Sequence, residues 1–186
     1  HSTTFLDDYT YFDNRTISRS TTPQAWALAA DYNKVAETPE LQNAHNKYGT
    51  VAFLIIKGDS IWHERYFDNY NSQSKSNSFS MAKSYVSALL GRAITDGYIK
   101  SLAQPVSDFF PQYKEGLAAK LTVGDLSSMA SGLDWDEAYY DPFSITTRAY
   151  FDGQFREKML QLKITSEPGK AFEYLSGNTF LLGMVI

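Results

Sequence analysis

The strongest constraint on the fold is a long apolar stripe that runs through residues 80–98. Apolar side chains recur there at positions 81, 85, 86, 89, 90, 93, 94 and 98, which matches the 3.6-residue period of an α-helix. Because the stripe is wide, we expect this helix to be largely buried. At 186 residues the chain is long enough to build one sizeable core.

A β-hairpin is predicted on the amino-terminal side of this helix. Residues 51–56 form a β-rich apolar run, and residues 61–67 alternate as a return strand. Residues 57–60 supply the turn chemistry between them. A polar loop rich in Asn, Ser and Gln then leads into the apolar helix.

Shorter helices are predicted on both sides of these elements. Helical spacing of the apolar residues after Pro23 predicts one helix, and a second is expected over residues 39–48. Thr122 and Asp125 have the spacing of a capping box, and Gly132 is expected to close the helix that they start. Further helical segments are expected over residues 145–151, 155–162 and 178–186.

Two strands followed by many helices indicate an α+β fold. We divide the chain into an N-terminal arm with helices (1–47), the hairpin and loop of a sheet domain (48–79), and the apolar helix with a helical region (80–186). The last helix runs into Val185 and Ile186 without a polar cap. We therefore expect that more sequence, with the remaining strands of the sheet, follows.

Composition argues against several classes of function. The net charge is −4 and the 17 Lys and Arg residues are scattered, so no basic surface for nucleic acid is expected. No apolar run approaches the ~20 residues that a membrane-spanning helix needs. The sequence has no cysteine, which removes thiolate metal ligands and cysteine nucleophiles. We expect neither a metal nor a cofactor.

Two further kinds of site are disfavoured by the sequence. His1, His45 and His63 are not spaced as a metal pair, and no Gly-x-Ser-x-Gly segment accompanies them, so a Ser-His-Asp triad is not expected. An acidic cluster after Gly132 suggests calcium, but the sixth position of an EF-hand loop would be Tyr139 instead of glycine. We interpret the cluster as a solvated acidic loop, made of Asp134, Asp136, Glu137 and Asp141.

Ser80 and Lys83 form a Ser-x-x-Lys motif, which acyl-transfer enzymes use. Ser72 and Lys75 fit the same pattern only a few residues upstream. The context differs, because Ser72 lies in the polar loop whereas Ser80 stands where that loop enters the most apolar helix. The pair at 80 and 83 is therefore the stronger candidate.

The start of a helix suits this pair to nucleophilic catalysis. Residues three apart lie on one helical face, with Cβ atoms ~5–6 Å apart, so the Lys83 amine can reach the Ser80 hydroxyl. The unpaired N–H groups at a helix start, including that of Ser80, stabilise a developing oxyanion, and the same dipole disfavours the charged form of Lys83. An alternative is equally open on the residues alone: Ser80 caps the helix and Lys83 points into water.

Ser80 and Lys83 belong to a longer series of motifs that follow one another along the chain. These are FSMAKS (79–84), DGYI (96–99), LTVGDL (121–126), ASGLDWDE (130–137) and YLSGN (174–178). Their order resembles the superfamily of serine β-lactamases and penicillin-binding proteins. The run at Ser80 and the segment after Ala130 look most similar to the branch of class C β-lactamase-like esterases and 6-aminohexanoate-dimer hydrolases.

This resemblance implies a role for four residues. Ser80 would be the nucleophile, Lys83 its base partner, and Tyr174 the second proton-transfer group, although Tyr70 also opens a Tyr-x-Ser sequence. Ser176 would contact the substrate, at a position where many members of the superfamily carry Asn. That departure fits the esterase or amino-acid-oligomer hydrolase branch better than β-lactam or cell-wall substrates.

The implied function is a serine hydrolase that cleaves an amide or ester bond through a covalent acyl-enzyme, without a cofactor. Its substrate would be a small amide, an ester or a short peptide-like molecule, and the resemblance favours a periplasmic or secreted location. A third motif, Lys or His followed by a small residue and Gly, is expected beyond residue 186, so we predict that the 186 residues are inactive alone. Two alternatives remain: a non-catalytic ligand-binding or sensor domain, and a structural domain.

Overall fold

The computed structural model describes residues 4–11, 13–149 and 153–186, and it divides the chain after Ser78 into two units. The first unit contains a three-stranded sheet with the order β1-β3-β2. Its elements are a 3₁₀ segment at Asp8–Tyr11, β1 at Ala27–Leu28, α1 at Pro39–Tyr48, β2 at Ala52–Lys57 and β3 at Ser60–Tyr66.

The predicted hairpin is present in the first unit. Strands β2 and β3 pair antiparallel from Ala52 opposite Tyr66 to Lys57 opposite Ser60, with one irregularity in the register. Gly58 and Asp59 between them both have positive φ, the combination that tight two-residue hairpin loops favour. The local turn chemistry in the sequence was therefore sufficient to predict this element.

The helix predicted after Pro23 is wrong. Ala27–Leu28 instead forms β1, which pairs parallel to β3 with Ala27 opposite Ser60. The backbone N–H of Ala29 continues this pairing by donating to the Ile61 carbonyl. Pairing with a strand that is distant in sequence thus overrides the local helical spacing.

Helix α1 has the predicted bounds because both of its ends are fixed locally. The Thr38 hydroxyl accepts a hydrogen bond from the Leu41 N–H, and Pro39 occupies the first helical position. At the other end Gly49 adopts the left-handed conformation, with φ of 58°.

The second unit is helical throughout its regular elements. Among its described residues, four 3₁₀ segments lie directly before α2 or between α2 and α3, at Phe79–Met81, Val106–Asp108, Pro111–Tyr113 and Gly116–Lys120. The α-helices are α2 at Ala82–Thr95, α3 at Val123–Ser127, α4 at Ile145–Ala149, α5 at Phe155–Met159 and α6 at Ser176–Val185. Together with the sheet of the first unit, these helices confirm the predicted α+β class.

Several of these helices are shorter than predicted. Gly97, with φ of 80°, ends α2 three residues early, and the Tyr98 N–H folds back onto the Ala93 carbonyl as in a Schellman motif. The capping box of Thr122 and Asp125 starts α3 as expected, but that helix ends before Gly132 is reached. Helix α5 also stops before the predicted end at residue 162. The predicted segment over 145–151 is helical at Ile145–Ala149, and its last two residues lie outside the described residues.

The core of the second unit lies between α3, α6 and one side of α2. Leu90 of α2 is 4% exposed, and Leu126 and Leu181 on the other two helices are almost completely buried. The opposite edge of the α2 stripe is open, because Met81 and Tyr85 are each 70% exposed. The expectation that this helix is largely buried therefore holds for only part of its apolar surface.

A close helix-to-loop contact fixes the start of α6. A Cβ atom added to Gly177 would lie 2.7 Å from the Trp135 ring, a distance that real side chains do not tolerate. Only glycine allows α6 to lie this close to the loop that follows α3. Within the described ranges, no helix has the length and apolar character to cross a membrane.

Candidate active site

Two helix starts bring the candidate site residues together in the second unit. Ser80 lies in the 3₁₀ turn that runs directly into α2, and Lys83 lies in the first turn of α2. Tyr174 precedes Leu175, the N-cap residue of α6, and Ser176 is the first residue of that helix. The four residues that the resemblance singled out are therefore neighbours in space.

Hydrogen bonds join these four side chains. The Tyr174 phenol donates to Ser80 Oγ over 2.9 Å, and Lys83 Nζ lies 3.3 Å from the same oxygen. Lys83 Nζ also donates to Ser176 Oγ over 3.2 Å, and it lies 5.2 Å from the centre of the Tyr174 ring. The Ser80 hydroxyl thus has an amine and a phenol within hydrogen-bonding distance.

The structure does not support the alternative in which Ser80 is a helix cap. The N-cap residue of α2 is Met81, and no side chain makes a capping hydrogen bond there. Lys83 is half-buried instead of extended into water. The Ser80 hydroxyl therefore faces Lys83 and Tyr174 and not the backbone N–H groups of the helix.

The backbone immediately before Ser80 is strained. Phe79 has φ of 46°, in the left-handed region that an aromatic residue seldom occupies. Such strain costs about 1–3 kcal/mol and concentrates at functional sites. It supports a role for this turn beyond folding.

The phenol of Tyr174 has a lowered pKa. The largest cause is its hydrogen bond with Ser80; burial opposes the shift, and the hydrogen bond and positive charge of Lys83 add to it. The negative charge of Glu137 acts in the opposite direction and raises the pKa of the phenol. The tyrosinate is consequently more accessible here than in an ordinary tyrosine.

Glu137 is a member of this cluster that the sequence analysis missed, because it was assigned to a solvated acidic loop. Its carboxylate accepts hydrogen bonds from the Ser176 hydroxyl and from the Trp135 indole N–H. Trp135, Glu137 and Tyr139 alternate along an irregular segment, and that alternation was the available signal in the sequence. The interpretation of this loop as solvated is therefore wrong for Glu137.

Glu137 is held in its charged form. Burial acts to raise the pKa of its carboxyl, but hydrogen bonds from the side chain and backbone of Ser176, from Tyr139 and from Trp135 outweigh this effect. The net result is a pKa below the usual value for glutamate. A negative charge therefore lies next to the hydroxyl that accepts a hydrogen bond from Lys83.

The competing candidates from the sequence lie in the first unit. Ser72 and Lys75, which also fit Ser-x-x-Lys, are exposed loop residues. His45 and His63 both face the carboxylate of Glu37. His1 lies outside the described residues. Across the part of the chain that is described, no group of three or more His, Asp or Glu side chains is arranged to hold a metal ion.

The chain belongs to the Beta-lactamase family. The sequence profile of this family matches residues 33–186, which is most of the chain and includes all four candidate site residues. This match confirms the superfamily that the ordered motifs predicted.

Two relatives within this superfamily carry the same name. The 6-aminohexanoate-dimer hydrolase of Paenarthrobacter ureafaciens is 26% identical over 159 residues, which are 80% of this chain and 40% of that protein. A solved structure named as a 6-aminohexanoate-dimer hydrolase from Bacillus anthracis matches with a TM-score of 0.61 and 20% identity, covering 78% of this chain and 41% of that one. The structural match confirms the β-lactamase-like fold, and the chain spans about two fifths of each relative's length.

Proposed function

We propose that the protein is a serine hydrolase that cleaves an amide or ester bond through a covalent acyl-enzyme on Ser80. One observation carries the proposal: the Ser80 hydroxyl lies 2.9 Å from the Tyr174 phenol and 3.3 Å from the Lys83 amine. A nucleophile next to a base that a third group orients is the usual signature of covalent catalysis. The strained turn before Ser80 supports it further.

In the proposed acylation step, Lys83 reacts from its unprotonated form: Ser80 Oγ attacks the substrate carbonyl carbon while its proton passes to the Lys83 amine. The free N–H groups at the start of α2 favour the negative charge that develops on the carbonyl oxygen. The bond to the leaving group then breaks, and the Tyr174 phenol gives its proton to the departing amine or alcohol. Ser80 is left as an ester of the acyl group.

In the proposed deacylation step, water attacks the ester carbonyl and gives a proton to the Tyr174 phenolate. The lowered pKa of Tyr174 suits a group that must alternate between phenol and phenolate. The bond to Ser80 Oγ breaks as Lys83 returns the proton that it took in acylation. The acid is released and all three side chains recover their starting protonation states.

The substrate class we propose is a short amide, such as an oligomer of an ω-amino acid. The relative in Paenarthrobacter ureafaciens is named for hydrolysis of the 6-aminohexanoate dimer, whose units are joined by an amide. Ser176 is proposed to contact this amide. Its oxygen has two lone pairs, and Lys83 uses one of them. The Tyr139 phenol lies 3.4 Å from the same oxygen but gives its proton to Glu137, so the second lone pair can accept the substrate N–H.

A fluorophosphonate probe tests the proposal, because it forms a covalent bond only with an activated hydroxyl. We expect the full protein to be labelled and Ser80→Ala to abolish the label. Ser72→Ala is the matched control, since it removes the serine of the competing Ser-x-x-Lys pair, and its label should be unchanged. A label that persists in Ser80→Ala would refute the nucleophile, and an unlabelled wild-type protein that binds short amides would favour a non-catalytic binding domain.

A further inference from the structure

The carboxylate of Glu137 collects four hydrogen bonds. Its Oε2 atom accepts from the Ser176 backbone N–H over 3.0 Å and from the Trp135 indole over 2.6 Å. Its Oε1 atom accepts from the Ser176 hydroxyl over 2.5 Å and from the Tyr139 phenol over 2.9 Å. Because each of the two oxygens accepts two hydrogen bonds, the carboxylate is fixed in one orientation.

This arrangement determines what the Ser176 hydroxyl can do. A serine hydroxyl has one proton to donate and two lone pairs that accept. The single proton of Ser176 is committed to Glu137, so toward Lys83 the oxygen can act only as an acceptor. Lys83 must therefore direct one of its N–H bonds to Ser176.

The fixed direction of the Ser176 hydroxyl affects the lone pair that the Lys83 amine has in its unprotonated form. If the Ser176 hydroxyl were free to rotate, it could donate its own proton to Lys83 Nζ and occupy the lone pair that Ser80 needs. With Glu137 in place that competition is removed. Lys83 Nζ donates to Ser80 Oγ, 3.3 Å away, and when the unprotonated amine becomes the acceptor in this contact its lone pair is not already occupied by Ser176.

We propose that Glu137 is a positioning residue for the Lys83 base, acting through the Ser176 hydroxyl. The proposal rests on the proposed function of Ser80 and Lys83 and adds a residue to it. Under this proposal Ser176 has a second role besides substrate contact. Its hydroxyl, oriented by Glu137, accepts a hydrogen bond from Lys83 and thereby orients the amine.

A double-mutant cycle tests the route through Ser176. Fluorophosphonate labelling rates are compared in the wild-type protein, Glu137→Gln, Ser176→Ala and the double variant. We expect Glu137→Gln to slow labelling about tenfold and to add no loss in the Ser176→Ala background, as residues of one network are coupled. Independent losses that multiply in the double variant would overturn the proposal.

The pH profile separates positioning from a merely structural role. Glu137 raises the pKa of Tyr174 by its charge, so Glu137→Gln should move the pH dependence of labelling to lower pH. A loss of folding alone would lower the labelled fraction without moving the profile. Glu167→Gln is the matched control, because Glu167 pairs with Lys120 at an exposed position of the same unit. Glu167→Gln should leave both the labelling rate and its pH profile unchanged.

Nuclear magnetic resonance of ¹³C-labelled lysine distinguishes this proposal from the proposed function. The Lys83 side-chain signal, identified by its loss in Lys83→Arg, should move in Glu137→Gln and in Ser176→Ala, with no further change in the double variant. If the wild-type protein is unlabelled by the probe but shows this pattern, the hydrolase function fails and the positioning role stands. An unmoved signal in Ser176→Ala overturns the positioning role even if Glu137→Gln does not fold.

Discussion

Each of the two units holds a glutamate among hydrogen-bond donors, and the donors differ in kind. Glu37 in the first unit, with a side chain only 3% exposed, faces His63 at 2.9 Å, His45 at 3.6 Å and the guanidinium of Arg65. Glu137 in the second unit accepts instead from neutral groups: a serine, a tyrosine, an indole and a backbone N–H. Both carboxyl groups have a lowered pKa.

The difference shows two uses of the same residue type. A carboxylate that faces two histidines and an arginine joins distant chain segments, since Glu37 connects to strand β3 through His63 and Arg65. The carboxylate of Glu137 instead fixes the proton of a hydroxyl, because a serine has a single rotatable proton and this carboxylate accepts it. The first arrangement is suited to stability, and the second to the orientation of a reactive group.

The largest effect, on both stability and labelling, is expected from Gly177→Ala, which disturbs the hydrogen bonds around Glu137 by displacing Trp135. The added methyl group would overlap the Trp135 ring, whose indole donates to Glu137. Overpacking of this kind costs about 1–3 kcal/mol, and we expect loss of the probe label as well. Thermal unfolding and labelling measure both effects.

Gly183→Ala is the control for this substitution. Gly183 lies in the same helix α6, and a Cβ atom there would meet no atom within 4 Å. The replacement should stabilise the helix slightly, by about 0.5–1 kcal/mol, and leave labelling intact. Equal losses in the two alanine variants would show that the result does not depend on the contact with Trp135.

The sequence predicted best those features that are encoded within a few residues. The ends of α1 depend on Thr38 and Gly49, and the pair of Ser80 and Lys83 lies within one helical turn. Both were accessible to spacing rules. Tyr174 could be selected only from the resemblance, because another Tyr-x-Ser sequence fits the pattern equally well.

Features that depend on long-range contacts could not be predicted in this way. Strand β1 exists because Ala27 meets Ser60, and the local spacing pointed to a helix instead. The role of Glu137 depends on a contact with Ser176, which is 39 residues away. Its charge suggested solvent exposure, and only the fold shows the four donors that make burial of that charge favourable.

A comparable loss of stability, in the first unit, is expected from Glu37→Gln, which removes the negative charge that faces His45, His63 and Arg65. Hydrogen bonds to a charged group contribute about 1.5–3 kcal/mol, so this variant should destabilise the first unit by about that amount. Hydrogen exchange of the β2 and β3 amides measures the change locally. Glu137→Gln is the comparison variant, and an equal loss of protection there would show that the effect is not specific to Glu37.

A smaller and graded effect is expected from pH. A carboxyl group whose pKa is lower in the folded protein stabilises it above the ordinary pKa of 4.5, and that stabilisation is lost as the pH falls through the lower, folded value. Hydrogen-exchange protection should therefore decrease below about pH 4.5 in both units. Glu37→Gln should flatten this dependence in the first unit and Glu137→Gln in the second. A dependence that survives in either variant would assign the acid sensitivity to other groups.

The smallest effect is expected from Glu167→Gln, because the Glu167 carboxylate is half-exposed and has, among the described residues, one ion-pair partner, Lys120. Glu167 pairs with Lys120 over 3.0 Å, and about half of its side chain is exposed to solvent. Its pKa is lowered by the hydrogen bond and charge of Lys120, yet water and salt screen such a pair almost completely. Glu167→Gln should therefore leave the melting temperature unchanged within error. A clear decrease would mean that a lowered pKa alone indicates stabilisation, and the distinction drawn from Glu37 and Glu137 would then lose its basis in burial.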